Sequence, residues 1–289
     1  MIHPLLQTYG PLDGWMILLV MATISISFFT YQVQKATRLV LIGSPDPRFD
    51  SWGPRIKEFV IGWLGQKKVL RDRVAGTMHV LMFWGFLMLA SDMLDLATAN
   101  YFSGELLPSL IVGPWNGMVE LGYTMALIGC VSALVRRVAF TPEKLKGKSQ
   151  LEGNAILLLI FTITSTSFMI ESKEDPSRFW EPIGYQVSQI GLSDGAVVAS
   201  YWLHMLAISM FLFLIPLSKH MHLVMAVPNV FFHDIGPSGR MRPLALDSDG
   251  RAIPLEELDI DSFGVSSYSQ YTWRQLIDGW SCTSCARCQ

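Results

Sequence analysis

Four of the six histidines lie inside long apolar stretches of the sequence: His79, His204, His220 and His222. An ionisable side chain is costly in such surroundings and is usually retained there for function. A neutral imidazole can ligate a metal through one nitrogen while the other donates a hydrogen bond. It can also pack as an ordinary hydrogen-bonded group. These residues are therefore the first candidates for chemistry.

Three cysteines close the sequence at intervals of three residues: Cys282, Cys285 and Cys288. This is the spacing of a [4Fe–4S] motif, whose fourth cysteine follows shortly after the third. The alternative, structural zinc, ordinarily pairs two Cys-x-x-Cys halves, and the fourth cysteine, Cys130, lies in an apolar stretch. The sequence therefore predicts iron–sulfur binding. Because it stops at Gln289, we expect a longer polypeptide or a split subunit to supply the remaining ligand.

The elements that must position these residues are apolar helices. Of the 289 residues, 51% are hydrophobic and 16% are charged, whereas ordinary soluble proteins have about 25% charged residues. The apolar residues form five runs of about 20 residues, the length that crosses the hydrocarbon core of a bilayer. The runs cover about 14–36, 74–98, 116–138, 153–171 and 199–227. The predicted fold class is all-α, an integral membrane bundle of five transmembrane helices.

Lysine and arginine are distributed unevenly between the connecting loops. Seven lie within 44–73 and three within 144–148, whereas 99–115 has none. Because cytoplasmic loops carry the excess of basic residues, we predict that the N-terminus is outside and the C-terminal tail is cytoplasmic. Within the first cytoplasmic loop, 54–65 has an apolar stripe beside charges and predicts a helix on the inner membrane surface. The alternative is a plain loop.

The composition changes after residue 227, where proline, glycine and aspartate become frequent. We therefore predict a membrane domain over 1–227. Residues 228–289 are predicted to be a cytoplasmic linker that leads into the start of a ferredoxin-like domain. Near its end, the segment 272–280 (TWRQLIDGW) predicts one or two helical turns that deliver the cysteines.

The spacing of the histidines predicts a metal site in the membrane. His204 and His222 are 18 residues apart, which is five whole turns of an unbroken helix, so both would face one side. His79 lies near the cytoplasmic start of helix two, at the depth of His222. Two imidazoles at one depth can hold a b-type haem from both faces. His220 faces elsewhere and is the alternative ligand.

His204 has no histidine partner at its own depth, so its role has three interpretations. It is a ligand of a second haem, a hydrogen-bonding partner of a quinone, or a structural residue. The polar side chains at that end are candidates for quinone binding or proton supply: Asp92, Asp95, Glu120 and Tyr123. A quinone site at the inner end is equally open, near Trp84, Lys219 and His220. Gly76 and Gly85 would let a porphyrin approach helix two closely.

This arrangement resembles the NarI-like cytochrome b fold, the gamma subunit of respiratory nitrate reductase. The resemblance implies an inner haem on His79 and His222 and an outer haem on His204, whose usual histidine partner is here Leu89. A closer resemblance covers nearly the whole chain, to NarI-like/iron–sulfur fusion proteins of the heterodisulfide-reductase type. That group includes proteins proposed as electron-transfer-flavoprotein:menaquinone oxidoreductases. The resemblance is carried by MHVLMFWGFLML, RRVAFTPEKL, WLHMLAISMFLFLIPLSKHMHLVMAVPNVFF and YTWRQLIDGWSCTSCARCQ.

The resemblance implies an oxidoreductase component that passes electrons between a cytoplasmic iron–sulfur module and the menaquinone pool. Expected cofactors are one or two haem b groups and a [4Fe–4S] cluster, with quinone as substrate. Expected partners are lipid, an iron–sulfur domain or subunit and an electron-transfer flavoprotein, without nucleic acid. The expected location is a bacterial or archaeal cytoplasmic membrane. Two other classes remain, a redox-inactive membrane anchor for a soluble iron–sulfur partner, and a transporter with broken helices.

Overall fold

The structure is a computed structural model that describes residues 3–102, 109–140, 148–236, 255–257 and 267–283. For 92–102, 109–111, 148–149 and 255 it describes the backbone alone. The helices of this described part are α1 (Gly14–Val40), α2 (Trp52–Phe59), α3 (Arg73–Phe102), α4 (Ser109–Ala139), α5 (Lys148–Glu171), α6 (Pro182–Ser188), α7 (Asp194–Leu217), α8 (His222–Phe231) and α9 (Trp273–Ser281).

Short elements connect these helices. A π-helical turn, Val60–Leu64, continues α2. Near the N-terminus, β1 (Thr8–Tyr9) pairs antiparallel with β2 (Leu12–Asp13). Turns of 3-10 helix lie at Pro4–Leu6, Val69–Arg71, Lys219–Met221, Leu255–Glu257 and Tyr268–Gln270.

Five of the described helices are long and apolar enough to cross a membrane: α1, α3, α4, α5 and α7. This confirms the predicted number of apolar helices and their order, whereas their orientation stays a prediction. The hydroxyl groups of polar residues on α5 donate hydrogen bonds to main-chain carbonyls of the same helix. Thr164 Oγ1 donates to the Ile160 carbonyl and Ser167 Oγ to the Ile163 carbonyl, both at 2.9 Å. These hydroxyls therefore add no unsatisfied group to an apolar element.

The chain divides by packing into two units. Among the described residues, one unit contains 3–31, 66–102, 109–140 and 148–218, and the other contains 32–65, 219–236, 255–257 and 267–283. The domain boundary predicted at residue 227 therefore falls inside α8, which packs in the same unit as α9.

In the first unit, α3 and α4 approach each other through small residues. A Cβ atom on Gly85 would lie 2.7 Å from the Gly122 carbonyl oxygen and 2.8 Å from the Ala126 nitrogen. A Cβ atom on Gly76 would likewise lie only 2.5 Å from the Val69 carbonyl oxygen. The expectation that these two glycines leave room for a porphyrin is therefore wrong. Gly85 allows close backbone packing of α3 on α4, as small residues commonly do between membrane helices. Gly76 allows the 3-10 turn at Val69–Arg71 to lie against α3.

The predicted fifth helix does not run unbroken over 199–227. α7 ends at Leu217, Ser218 is extended (φ −131°, ψ 177°), and a 3-10 turn precedes α8. Pro216 lacks an N–H group and its ring crowds the preceding turn, which favours a break at this point. The argument that His204 and His222 share one face of a continuous helix is therefore wrong.

The second unit is built around α8. Ala36, Met221 and Met225 form its buried apolar cluster, with Trp280 of α9 packed against them. Phe231 contacts both Trp52 and Phe59 of α2, with ring centroids 5.6 Å and 5.8 Å apart. Helices α2 and α9 thus both pack on α8.

Candidate functional site

His222 is the first residue of α8, and the turn that precedes it fixes one ring nitrogen. Its Nδ1 lies 2.7 Å from the Lys219 carbonyl oxygen. A carbonyl can only accept a hydrogen bond, so Nδ1 carries the hydrogen and donates it. The neutral ring then has its lone pair on Nε2, which makes no hydrogen bond within the described part of the chain. This is the arrangement that metal-ligating histidines ordinarily have.

His204, on α7, has the same arrangement with α5 as its support. Its Nδ1 lies 3.1 Å from the Ile163 carbonyl oxygen and 2.9 Å from Thr166 Oγ1. Thr166 Oγ1 gives its own hydrogen to the Thr162 carbonyl at 2.6 Å, so it accepts from His204. Nδ1 is again the donor, and no described residue hydrogen-bonds Nε2. Two acceptors hold this ring against α5.

The other two candidate histidines have different surroundings. His79 lies on α3, and its ring is nearly parallel to that of Phe83, with centroids 6.5 Å apart. His220 lies in the 3-10 turn before α8, with its ring centroid 5.8 Å from that of His222. The Lys219 carbonyl fixes the tautomer of His222, as a metal ligand requires.

Glu120 is buried, and main-chain donors from α6 occupy its carboxylate. Oε1 accepts from the Ile183 N–H at 3.0 Å, and Oε2 accepts from the Gly184 N–H at 2.7 Å. A Cβ on Gly184 would lie 3.1 Å from Oε2, which leaves little room for a larger residue. Glu120 therefore ties α4 to the loop that carries α6. The structural role is observed, and the predicted role in proton supply stays a prediction.

Tyr123 lies in a buried cluster with Val119 and Phe168, where its ring centroid is 5.7 Å from that of Phe168. Leu89 packs against this cluster. The position at which the resemblance would place a second histidine thus belongs to an apolar core.

The remaining predicted residues are described only in part. Asp92 and Asp95 lie on α3 where the backbone alone is described, so their side chains fall outside the described residues. Cys285 and Cys288 also fall outside them, whereas Cys282 directly follows α9 and is exposed. Within the described residues, no three histidine, cysteine, aspartate or glutamate side chains form a group that could hold a metal ion.

The segment before Cys282 forms a docked helix, which confirms the predicted helical turns. Thr272 caps α9 in a capping box with Gln275. The chain before α9 makes a parallel bridge with the segment after α1. Ser44 N donates to the Tyr271 carbonyl at 2.7 Å, and Trp273 N donates to the Ser44 carbonyl at 3.1 Å. The helix that leads to the cysteines is thereby held at its start.

Three arginines that sequence analysis missed converge on the C-terminal end of α8. Arg274 Nε donates to the Phe232 carbonyl at 3.0 Å, and Arg48 Nη1 donates to the same oxygen at 3.4 Å. Arg55 Nη1 donates to the His233 carbonyl at 3.0 Å. All three arginines are buried, and cations at this end also complement the helix dipole. The sequence shows these arginines but not that they are buried. Their acceptors could not be predicted, because the Phe232 and His233 carbonyls lie far from them in the chain.

Two curated proteins are similar to this chain. It is 23% identical over 288 residues to the "Probable iron-sulfur-binding oxidoreductase FadF" of Bacillus subtilis, which covers 94% of this chain and 39% of that protein. It is 26% identical over 296 residues to the "EtfAB:quinone oxidoreductase" of Syntrophomonas wolfei, which covers 95% and 40%. The chain thus spans about two fifths of the length of these curated relatives. No family model and no solved structure matches it.

Proposed function

We propose that this chain is the membrane part of a quinone-linked iron–sulfur oxidoreductase and that it carries b-type haem. Five helices that can cross a membrane supply the scaffold. The names of the two relatives include iron–sulfur binding and quinone oxidoreduction. An electron-transfer flavoprotein is the proposed electron partner, since the second name includes EtfAB. The proposed orientation keeps the N-terminus outside and the tail in the cytoplasm of a bacterial or archaeal cell.

The state of the histidine rings is the observation that carries the proposal. His204 and His222 each donate from Nδ1 to a main-chain carbonyl, which leaves the lone pair on Nε2. A carbonyl acceptor behind a ligating imidazole orients the ring and raises its basicity. The Nε2 lone pairs are suitable ligands for haem iron, and a bound haem would supply one-electron transfer. His222 is proposed as one axial ligand and His79 as the other, a pairing that rests on the resemblance.

His204 is proposed either as a ligand of a second haem or as a quinone-binding residue. Leu89 offers no second imidazole, and it packs in an apolar cluster instead. If His204 ligates iron, the second axial position must come from another group or stay open. If it binds quinone, the Nε2 lone pair accepts a hydrogen bond from the hydroxyl of the reduced form. Asp92, Asp95, Glu120 and Tyr123 remain the proposed residues for proton supply and quinone binding.

Cys282, Cys285 and Cys288 are proposed to hold three corners of a [4Fe–4S] cluster. Thiolates are the ordinary ligands of such clusters, and Cys282 is exposed at the end of a docked helix. The fourth ligand is proposed to come from an iron–sulfur domain or subunit. The docked α9 would hold the first thiolate in the unit that also contains His222.

The test is a reduced-minus-oxidised visible spectrum of the purified protein, with haem quantified per chain. We expect one or two haems of low-spin character, since two imidazoles give a strong ligand field. His222→Ala and His79→Ala should each remove the inner haem, because each deletes an axial ligand. His204→Ala should remove a second haem if two are present.

His220→Ala is the matched control, because His220 lies two residues from His222 in the same turn region. It should retain the full spectrum. If this variant loses the spectrum and His222→Ala retains it, His220 rather than His222 is the haem ligand. Well-folded parent protein without haem would contradict the proposal and favour a redox-inactive membrane anchor.

A further inference from the structure

The His204 ring has two neighbours on α5 that can accept the hydrogen on its Nδ1, and they are not equivalent. The Thr166 hydroxyl oxygen lies 2.9 Å from Nδ1, and the Ile163 carbonyl oxygen lies 3.1 Å from it. A third oxygen, Ser167 Oγ, is 3.5 Å away, which is beyond the usual range of an N–H···O hydrogen bond. The stronger of the two acceptors determines how much electron density the ring carries at Nε2.

The Ile163 carbonyl oxygen already accepts from donors of its own helix. Ser167 Oγ donates to it at 2.9 Å, and the N–H of the same serine donates to it as part of the regular bonding of α5. A carbonyl oxygen has two lone pairs, so both are in use without His204. The histidine therefore meets this oxygen only as a third donor, and the bond between them is weakened by the competition.

The Thr166 hydroxyl is the better acceptor. Its single hydrogen goes to the Thr162 carbonyl at 2.6 Å, a shorter contact than the 3.1 Å to the Ile163 carbonyl. A hydroxyl that donates in a short bond accepts more strongly, because successive hydrogen bonds polarise one another. The bonds from His204 Nδ1 to Thr166 Oγ1 and from Thr166 Oγ1 to the Thr162 carbonyl therefore strengthen each other.

A second buried threonine on the same helix provides a comparison. Thr166 is 4% exposed and Thr164 is 1% exposed, so neither hydroxyl exchanges its partner freely with water. The Thr164 hydroxyl donates to the Ile160 carbonyl at 2.9 Å, within α5. The two side chains are alike in type, burial and bonding to the helix, and of the two only Thr166 reaches His204.

We propose that Thr166 is a positioning residue for His204 and that its hydroxyl makes this imidazole a stronger ligand for haem iron. The inference rests on the proposed function, in the form in which His204 binds a second haem. An imidazole that donates a strong hydrogen bond from Nδ1 is more basic at Nε2. Such a ligand stabilises ferric iron more than ferrous iron, because the ferric ion has the higher positive charge. Thr166 therefore lowers the midpoint reduction potential of a haem on His204.

The experiment is a potentiometric titration of the purified protein, in which the absorbance is followed as each haem takes up one electron. His204→Ala identifies the wave that belongs to this site, because that variant loses it. In Thr166→Val, which keeps the shape of the side chain without the hydroxyl, we expect this wave at higher potential. We also expect this haem to pass to apomyoglobin about tenfold faster, at the lower end of the usual cost of losing such a partner, because the Ile163 carbonyl remains.

Two variants separate the hydrogen bond from general packing. Thr166→Ser keeps the hydroxyl and should return the potential and the rate of haem loss to the parent values. Thr164→Val makes the same change of side chain at the comparison site and should leave both values unchanged. Equal shifts in Thr164→Val and Thr166→Val would overturn the proposal, because the effect would then come from packing of α5. An unchanged potential in Thr166→Val would also overturn it.

Ser167→Ala tests which acceptor dominates, because it removes the side chain that competes for the Ile163 carbonyl. We expect a smaller change of potential than in Thr166→Val. A larger change, towards lower potential, would make the Ile163 carbonyl the main acceptor and overturn the proposal. A protein with haem on His222 but no wave that depends on His204 would also overturn it, and would leave the proposed function intact. Well-folded protein without any haem would contradict the proposed function itself, and this inference with it.

Discussion

Replacing Arg274 with methionine tests how α9 is held on α8. Arg274 donates to the Phe232 carbonyl at 3.0 Å and to Asp278 Oδ1 at 2.7 Å. The Asp278 side chain is 59% exposed, so this ion pair contributes little. A hydrogen bond from a charged donor contributes roughly 1.5–3 kcal/mol, and these bonds to the Phe232 carbonyl are partly buried. Because Arg48 also reaches this carbonyl and methionine keeps most of the packing, we expect a loss of about 2 kcal/mol.

Amide hydrogen exchange in nanodiscs measures this loss directly. A helix of nine residues is unstable alone, so its amides are protected only while it is docked. A loss of about 2 kcal/mol should speed exchange in α9 about 30-fold, with α5 unchanged. Asp278→Asn is the matched control and should change the rate by less than about threefold. Equal effects of the two variants would refute the carbonyl argument, and unchanged exchange in Arg274→Met would assign the docking to the Ser44 bridge and the aromatic contacts.

Three further predictions follow from single contacts. Gly85→Ala should lower the stability to thermal unfolding by about 1–3 kcal/mol, because its Cβ would overlap the backbone of α4; Gly195→Ala, with open space around it, should not. Glu120→Ala should speed amide exchange at Ile183 and Gly184, which lose their acceptor, while Ser193 at the start of α7 stays unaffected. The hydrogen bond from Arg55 lowers the pKa of Asp50 below its ordinary value of 3.8, so its stabilising effect is present above pH 3.8 and is lost as the pH falls through the lower folded value. Asp50→Asn should therefore flatten the acid fall in stability below pH 3.8, followed by tryptophan fluorescence, and an unchanged profile would contradict this assignment.

The long apolar helices could be predicted from the sequence because each is a local property. A run of about 20 apolar residues has few alternatives to a membrane helix. The short helix before Cys282 was also visible, since Thr272 and Gln275 provide its capping box within one turn. What these patterns share is that the residues that decide the structure lie next to one another in the chain.

The features that prediction missed depend on partners far along the chain. Pro216 was visible in the sequence, but the extended Ser218 that completes the break was not. The bonds of Arg274 reach the Phe232 carbonyl, 42 residues away, and Ser44 meets a segment 227 residues later. The close packing at Gly85 requires knowing which helix faces α3. The sequence identified the candidate histidines. Which ring nitrogen can ligate a metal is decided by their carbonyl partners, which only the structure shows.

The tautomer of His204 also bears on the two roles proposed for it. With Nδ1–H committed to the Ile163 carbonyl and Thr166, the neutral ring offers only a lone pair at Nε2. That atom can ligate iron, or it can accept a hydrogen bond from the hydroxyl of a reduced quinone. It has no hydrogen to donate to the carbonyl of an oxidised quinone. If His204 binds quinone, the neutral ring therefore favours the reduced form and is placed to take its proton on oxidation. If the site instead prefers oxidised quinone, His204 must be protonated, because only the imidazolium has a hydrogen on Nε2. Iron ligation would then be the role left for the neutral ring.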